Sequence, residues 1–396
     1  MIAKPREQSH SLFYAVTMIY WFALYMYMPI LGPYVQHLGG SLQMVGLVVG
    51  SYGLTQMLLR IPLGILSDKL QKRRIFITIG VGLAMTSSVG MGLVTNPLLV
   101  LAFRSLAGAA AATWVTFTVL FSSYFRPEEA PKAMGIIVFY TSLGQMLATS
   151  MGGFVADYLS WQAPFIIGGL VGMIGLVLST RIPETQIEKQ TVKIQELLQV
   201  GKDPILLSVA FLAILFQCIT FSTIYGFTPS HAVAIGASRS QLSILALISS
   251  LPAAYTALRS GVWAERFGER RLLVIAFLII ATFSMMIPFT TNLWVLYITQ
   301  GLGGFGRGVI FPVLMGLSIK SVVAERRATA MGFFQSIYAL GMFGGPVLVG
   351  FIGDRLSLSG GFIAVGVIGL MATILAHGLL SKTRLEDNLV TTKIQA

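Results

Sequence analysis

Four arginines stand inside stretches that are otherwise apolar: Arg60, Arg104, Arg259 and Arg307. A guanidinium keeps its proton and presents five N–H donors in a planar fork that matches a carboxylate or a phosphate. Held unpaired within an apolar membrane segment, such a charge costs about 2.5–3.5 kcal/mol, so it must face a cavity, a partner or the nearest polar boundary. Arg104, about 9 Å along its helix from the outer end at 1.5 Å per residue, and Arg307 are expected to face a cavity. Arg60 and Arg259 lie nearer a helix end, where snorkelling competes with a binding role. Carboxylates are distributed in the opposite way, since none of the 15 Asp and Glu falls in the middle of an apolar stretch. Asp157 and Asp354, at the ends of two stretches, are the nearest candidates for carrying protons; pairing with Arg355 or capping an outer gate competes with that role.

Uncharged groups that could line a substrate site are Tyr20, Tyr25, Gln56, Gln145, Gln217, Gln300, Gln335 and Tyr338, although single glutamines in membrane helices often only bridge neighbours. Other chemistry is missing from the sequence. There is no Gly-rich phosphate loop ending in Gly-Lys-Ser/Thr, no H-E-x-x-H, no Cys/His metal spacing and a single cysteine, Cys218. No cofactor, no bound metal and no enzymatic reaction are expected.

The elements that must position these residues are membrane helices. With 55% hydrophobic and 11% charged residues and a mean hydropathy of +0.80, the chain needs the bilayer as its solvent. Taking about 20 apolar residues per crossing, spans are predicted near 12–36, 41–66, 75–94, 98–124, 133–157, 162–180, 204–230, 239–264, 272–289, 293–319, 329–354 and 360–380. Both termini and every even-numbered turn then share one side, where 21 of the 27 Lys and Arg fall. That basic side is the cytoplasm. The net charge of +12 therefore reports topology and argues against nucleic acid as a partner.

The chain also repeats itself. Ala133-Met134-Gly135 recurs as Ala330-Met331-Gly332, Gly39 as Gly236, Gly144 as Gly341, Gly153 as Gly350 and Asp157 as Asp354, all at an offset of 197. The polar stretch 181–203 divides residues 1–180 from 204–396, and its Ile194–Val200 segment has the pattern of a short amphipathic surface helix. Two parallel six-helix halves with a site near the midplane are the architecture such a repeat implies.

At the same offset of 197, Gly64-Ile-Leu-Ser-Asp68-Lys69-Leu-Gln71-Lys72-Arg73-Arg74 matches Gly261-Val-Trp-Ala-Glu265-Arg266-Phe-Gly268-Glu269-Arg270-Arg271. The glycines would allow close helix approach, the carboxylates suit a helix N-terminus or an arginine, and the bases hold the loop at the cytoplasmic surface. The first run resembles the loop 2-3 signature of the major facilitator superfamily, departing from it at Gln71, where the family has glycine; the second departs at Glu265, where it has aspartate. Arg104 to Gly108 is similar to the family's R-x-x-x-G motif. Gly144-x-x-x-Ala148-Thr149-x-x-Gly152-Gly153 resembles the antiporter branch's span-5 motif without its central Gly-Pro, and Gly341-x-x-x-Gly345-Pro346 resembles a fuller copy that suits a gating hinge.

The resemblance implies an all-α polytopic protein of twelve transmembrane helices in two pseudo-symmetric halves, working by alternating access. Asp68, with Lys69 and Arg73, is expected to latch the cytoplasmic side by meeting Arg126 and the helix start near Thr329, with Glu265, Arg266 and Arg270 in the mirrored contact. The nearest branch is the twelve-span drug:proton antiporters, implying proton-coupled efflux of amphipathic compounds from a bacterial inner membrane by a monomer. Its partners would be a small-molecule substrate, protons and the lipid bilayer. An organic-anion or sugar-type carrier clamping its substrate between Arg104 and Arg307 is the alternative, and a lipid flippase a minor one. The topology has a direct check: alkaline phosphatase fused after Gly39 or Leu159 should be active, and after Gln71 or Glu129 inactive. The reverse pattern would invert the assigned orientation.

Overall fold

A computed structural model describes residues 7–126, 129–185, 201–320, 322 and 327–394. The predicted amphipathic segment of the linker lies outside the described residues. Lipid offers a peptide group no hydrogen bond, so each crossing segment must satisfy its backbone internally. Among the described residues every element is accordingly helical. Eleven helices are long and apolar enough to cross a membrane, and Ala163–Ser179 is a shorter apolar twelfth. In chain order the spans are His10–His37, Leu42–Leu70, Arg73–Leu93, Pro97–Ser122, Lys132–Tyr158, Ala163–Ser179, Pro204–Ala234, Arg239–Phe267, Glu269–Phe289, Leu293–Lys320, Thr329–Arg355 and Leu358–Gly378. Starts are set by local chemistry. Ser41 accepts from the Met44 amide (3.2 Å), Asn96 from Leu98 (2.8 Å) and Asp203 from Ile205 and Leu206 (2.8 and 3.0 Å), with Pro97 and Pro204 opening their helices.

The chain divides into two compact units. The first holds spans 1–6 and also Gly236–Leu247, the start of span 8. Within it, span 1 packs on spans 5 and 6, span 3 on spans 4 and 6, and span 2 on span 4. In the second, span 7 packs on spans 10, 11 and 12, and span 9 on spans 10 and 12. The assignment of the start of span 8 to the first unit departs from a clean break at the linker.

The repeat is written into the backbone. Span 1 is helical over Glu7–Tyr25, passes through a 3-10 turn at Met28–Ile30 and restarts as Leu31–His37. Span 7 is helical over Pro204–Ser222, widens into a π-turn at Thr223–Phe227 and restarts as Thr228–Ala234. Both the break and the restart recur at the sequence offset of 197. Pro29 and Pro229 withhold an N–H from the ladder at these places, and Gly226 widens the second break. Pro62, Pro252, Pro312 and Pro346 by contrast lie inside unbroken helices, so the expected hinge at Pro346 is a continuous helix here.

Span 2 runs on to Leu70 and span 8 to Phe267, which puts Asp68, Lys69, Glu265 and Arg266 in final helical turns where a loop was expected. The turns that follow require a left-handed residue. Gln71 (φ 54°) is the only non-glycine with positive φ among the described residues, and its repeat counterpart Gly268 has φ 81°. Gly39 (φ 84°) and Gly236 (φ 94°) form the second such pair. The family's glycine thus answers a backbone demand that Gln71 meets under strain, its Nε2 donating to the Asp68 carbonyl at 2.7 Å. Replacing Gln71 by Gly should stabilise the first unit by about 1 kcal/mol, and Gly268→Ala should destabilise the second by about 1 kcal/mol or more. Thermal unfolding of the purified variants checks both signs.

Candidate functional site: a buried arginine held between tyrosine rings

Gly108 and Thr55 decide how span 2 meets span 4. A Cβ on Gly108 would overlap the Thr55 hydroxyl and the Tyr52 carbonyl, and Thr55 Oγ1 donates to the Ser105 carbonyl at 2.8 Å. This close crossing lays the Tyr52 ring on the Arg104 guanidinium, whose Cζ sits 4.5 Å from the ring centroid. Tyr27, carried by the break in span 1, reaches the same guanidinium. Its centroid is 5.5 Å from Cζ, and its hydroxyl accepts from Arg104 Nη1 at 2.9 Å. Tyr27 is fixed in turn by stacking on Phe165 of span 6 at 4.9 Å. The guanidinium is thus 2% exposed and held by π faces and one hydroxyl.

Tyr52, Gln56 and Arg60 recur every four residues along one face of span 2, and Gln56 and Arg60 are 4% and 3% exposed. An aromatic wall continues from the cage: Tyr20 tilts on Phe117 (4.8 Å) and meets Trp21 edge-on (5.4 Å), and Trp21 meets Trp114 (5.2 Å) and Tyr25 (5.7 Å). Among the described residues, Gln56 Oε1, Trp21 Nε1 and Arg104 Nε are buried without a hydrogen-bond partner. Gln145 is half-buried on span 5, its carbonyl accepting from Thr149 (2.9 Å), where Gly144 and Gly152 meet the Met18 and Met26 carbonyls of span 1.

The described carboxylates of this unit are all engaged at helix ends. Asp68 pairs with the buried Arg73 at 2.6 Å instead of the expected Arg126, whose amide donates to Glu129 at 3.3 Å. Glu184 accepts from the Arg73 and Arg74 amides (3.0 and 2.9 Å), putting a negative charge at a helix start that carries two arginines. Tyr124 donates to the Pro183 carbonyl at 2.6 Å and binds the same strap to span 4. At the opposite end the exposed Asp157 accepts from Ser240 Oγ (2.7 Å) and N (3.3 Å), while Arg239 donates to the Ala156 carbonyl (2.6 Å) and lies 4.2 Å over Trp161. Asp157 therefore caps the start of span 8 and is no buried proton carrier in this conformation.

The second unit is built differently. At the repeat offset of 197 the counterpart of Arg104 is Gly301 and that of Arg307 is Ala110, so the two arginines are not equivalents. Arg307 Nη2 donates to Ser249 Oγ (2.6 Å) and to the Gln300 carbonyl (2.9 Å), committing it to its own helix and span 8. Gln300 and Gln217 are buried and Gln335 is half-buried. Tyr338 is enclosed by Phe311 and Phe334. Gly341 and Gly345 lie against the Ile214 and Cys218 carbonyls, which is why span 7 packs so closely on span 11. Asp354 and Glu265 are exposed, and Arg355 lies over Phe351 at 4.9 Å. Arg270 meets His377 (2.8 Å), Arg266 lies over Phe267 (5.4 Å), and Glu269 pairs with Lys320 (2.7 Å). The glycines of the loop signature do not mediate close helix contact here, since a Cβ on Gly64 would meet Val115 at 3.6 Å and one on Gly261 would meet nothing within 4 Å.

Sequence reasoning missed Tyr27, Tyr52, Trp21, Trp114 and Glu184. The one available signal was the spacing of four that joins Tyr52 to Gln56 and Arg60; nothing in the sequence announces that Tyr27 turns toward span 4.

A repeat of six apolar helices, each copy opening on a broken helix, defines a polytopic membrane transporter. The chain belongs to the major facilitator superfamily, whose family model matches residues 13–235 and 210–393. It is 23% identical to an uncharacterized MFS-type transporter of Methanocaldococcus jannaschii, over 88% of this chain and 92% of that one. It is also 22% identical to the quinolone resistance protein NorA of Staphylococcus aureus, over 91% and 94%. Among solved structures it resembles a bacterial homolog of the human lysosomal transporter Spinster in an inward-facing, unoccupied conformation, with TM-score 0.79, 16% identity and coverage of 97% and 99%. The nucleoside transporter NupG gives TM-score 0.72, 17% identity and coverage of 95% and 99%.

Gly108→Ala should force spans 2 and 4 apart and cost about 1–3 kcal/mol. Because it also draws Tyr52 off Arg104, transport should fall by more than the loss of folded protein; thermal unfolding and initial transport rate, measured together, check this.

Proposed function

We propose that the protein is an exporter of amphipathic small molecules, binding them in the first unit beside Arg104. One observation carries this reading: a buried cation set in a wall of Tyr, Trp and Phe rings, with polar atoms that no described protein group satisfies. Such a lining takes a flat apolar body on the rings and fixes a polar end on the few donors. The similarity to a quinolone resistance protein supports export as the direction. Alternating access supplies the cycle. In the first unit, Asp68 with Arg73, braced by Glu184, is the cytoplasmic gating element, and Asp157 with Ser240 and Arg239 the outer one. The proton coupling of the nearest branch would have to use such end carboxylates, Asp157 or Asp354.

The test is efflux of a panel of fluorescent amphipaths from proteoliposomes holding the purified chain. Trp21→Ala and Tyr52→Leu should each lower the initial rate about two- to tenfold, since stacking on an aromatic partner is worth about 0.5–1.5 kcal/mol beyond the area buried. Unchanged rates in both variants would remove the first-unit site.

A further inference from the structure

We infer that the substrate is an anion: an amphipath with an aromatic body and one carboxylate or sulfonate, seated on Arg104 and exported on the membrane potential without counter-movement of a proton. This rests on the export reading and adds to it the charge of the substrate and the source of the drive.

Arg104 carries the argument. Its described hydrogen bond goes to a neutral hydroxyl, two neutral rings lie near it, and its Nε has no partner among the described residues. The described carboxylates of the same unit, Asp68, Glu129, Asp157 and Glu184, are bound to Arg73, the Arg126 amide, Ser240 and the Arg73 and Arg74 amides, all at helix ends. Among the described residues no carboxylate therefore meets the Arg104 guanidinium, whose fork geometry is built to take one. A lipophilic cation entering beside Arg104 would be repelled by its guanidinium where the low dielectric strengthens the effect. The apolar part of an anion finds the Tyr20, Trp21, Trp114 and Phe117 rings, and its remaining polar atoms find the buried Trp21 Nε1 and the Gln56 amide.

The drive follows from the same distribution of charge. No Asp or Glu lies in the middle of a described span, so among the described residues no mid-span carboxylate is placed to load and release a proton. An anion leaving a negative interior needs none, because a potential of 100 mV sustains a roughly fiftyfold gradient of a monovalent ion.

Two matched probes test this, 1-naphthalenesulfonate and 1-naphthalenemethanol, which share a ring system and differ in charge. Equilibrium dialysis with the purified full chain should give tighter binding of the sulfonate. Arg104→Gln should raise the sulfonate Kd about thirtyfold, the loss expected of one charged hydrogen bond, and leave the naphthalenemethanol Kd within about twofold. An equal loss of both would mark Arg104 as structural and overturn the inference. In proteoliposomes at equal pH on both sides, a negative interior set with potassium and valinomycin should accelerate sulfonate efflux, with no change in an internal pH dye. Sulfonate efflux tied to proton entry would overturn the potential-driven step. Ethidium export in preference to the sulfonate would overturn the anion assignment and leave the export reading standing, whereas transport of no probe at all would sink that reading as well.

Discussion

Everything in this structure follows from a solvent that cannot hydrogen-bond a peptide group. Inside the hydrocarbon the backbone must be helical, and any departure from the helix has to be covered by protein or open to water. Departures are therefore informative. The first helix of each half breaks at the same repeat position, by a 3-10 turn in one and a π-turn in the other. In the first half that break sends Tyr27 across to Arg104, so an irregularity at Pro29 becomes the means of holding a charge in the bundle.

The two halves share a backbone plan and have diverged in side-chain chemistry. Left-handed turns sit at matched positions in both, one filled by Gln71 and its counterpart by Gly268. The buried arginines do not match: Arg307 is tied to Ser249 and to a carbonyl of its own helix, whereas Arg104 is given aromatic faces and a neutral hydroxyl. Backbone positions answer to steric demands common to both copies. A polar side chain answers only to its own neighbours, and those differ between the copies.

The end of the first half that carries the signature run shows how charge is balanced where a helix begins with the wrong sign. Arg73 and Arg74 open span 3 at the positive end of its dipole, an unfavourable place for bases. Glu184 answers by accepting both of their amide protons, which frees the Arg73 side chain to reach Asp68. The signature run is thus one part of a cluster whose other part arrives from the end of span 6, well over a hundred residues further along the chain.

The sequence by itself determined the spans, the repeat at its offset of 197 and the shortage of carboxylates within the apolar stretches, because composition and periodicity report directly on what lipid tolerates, while its motifs carried the resemblance to the family. It also marked Arg104 as a charge needing an explanation. Tertiary structure alone decided what surrounds that charge: the crossing at Gly108 that brings Tyr52 to it, and the break that brings Tyr27 within hydrogen-bond reach. It likewise decided that Arg307 is satisfied, that Asp157 caps span 8, and that Asp68 meets Arg73. The physical reason is range. Burial in lipid acts on each segment separately and leaves its mark in every window of sequence, whereas the partner of a polar group is chosen by helix crossings between residues far apart in the chain.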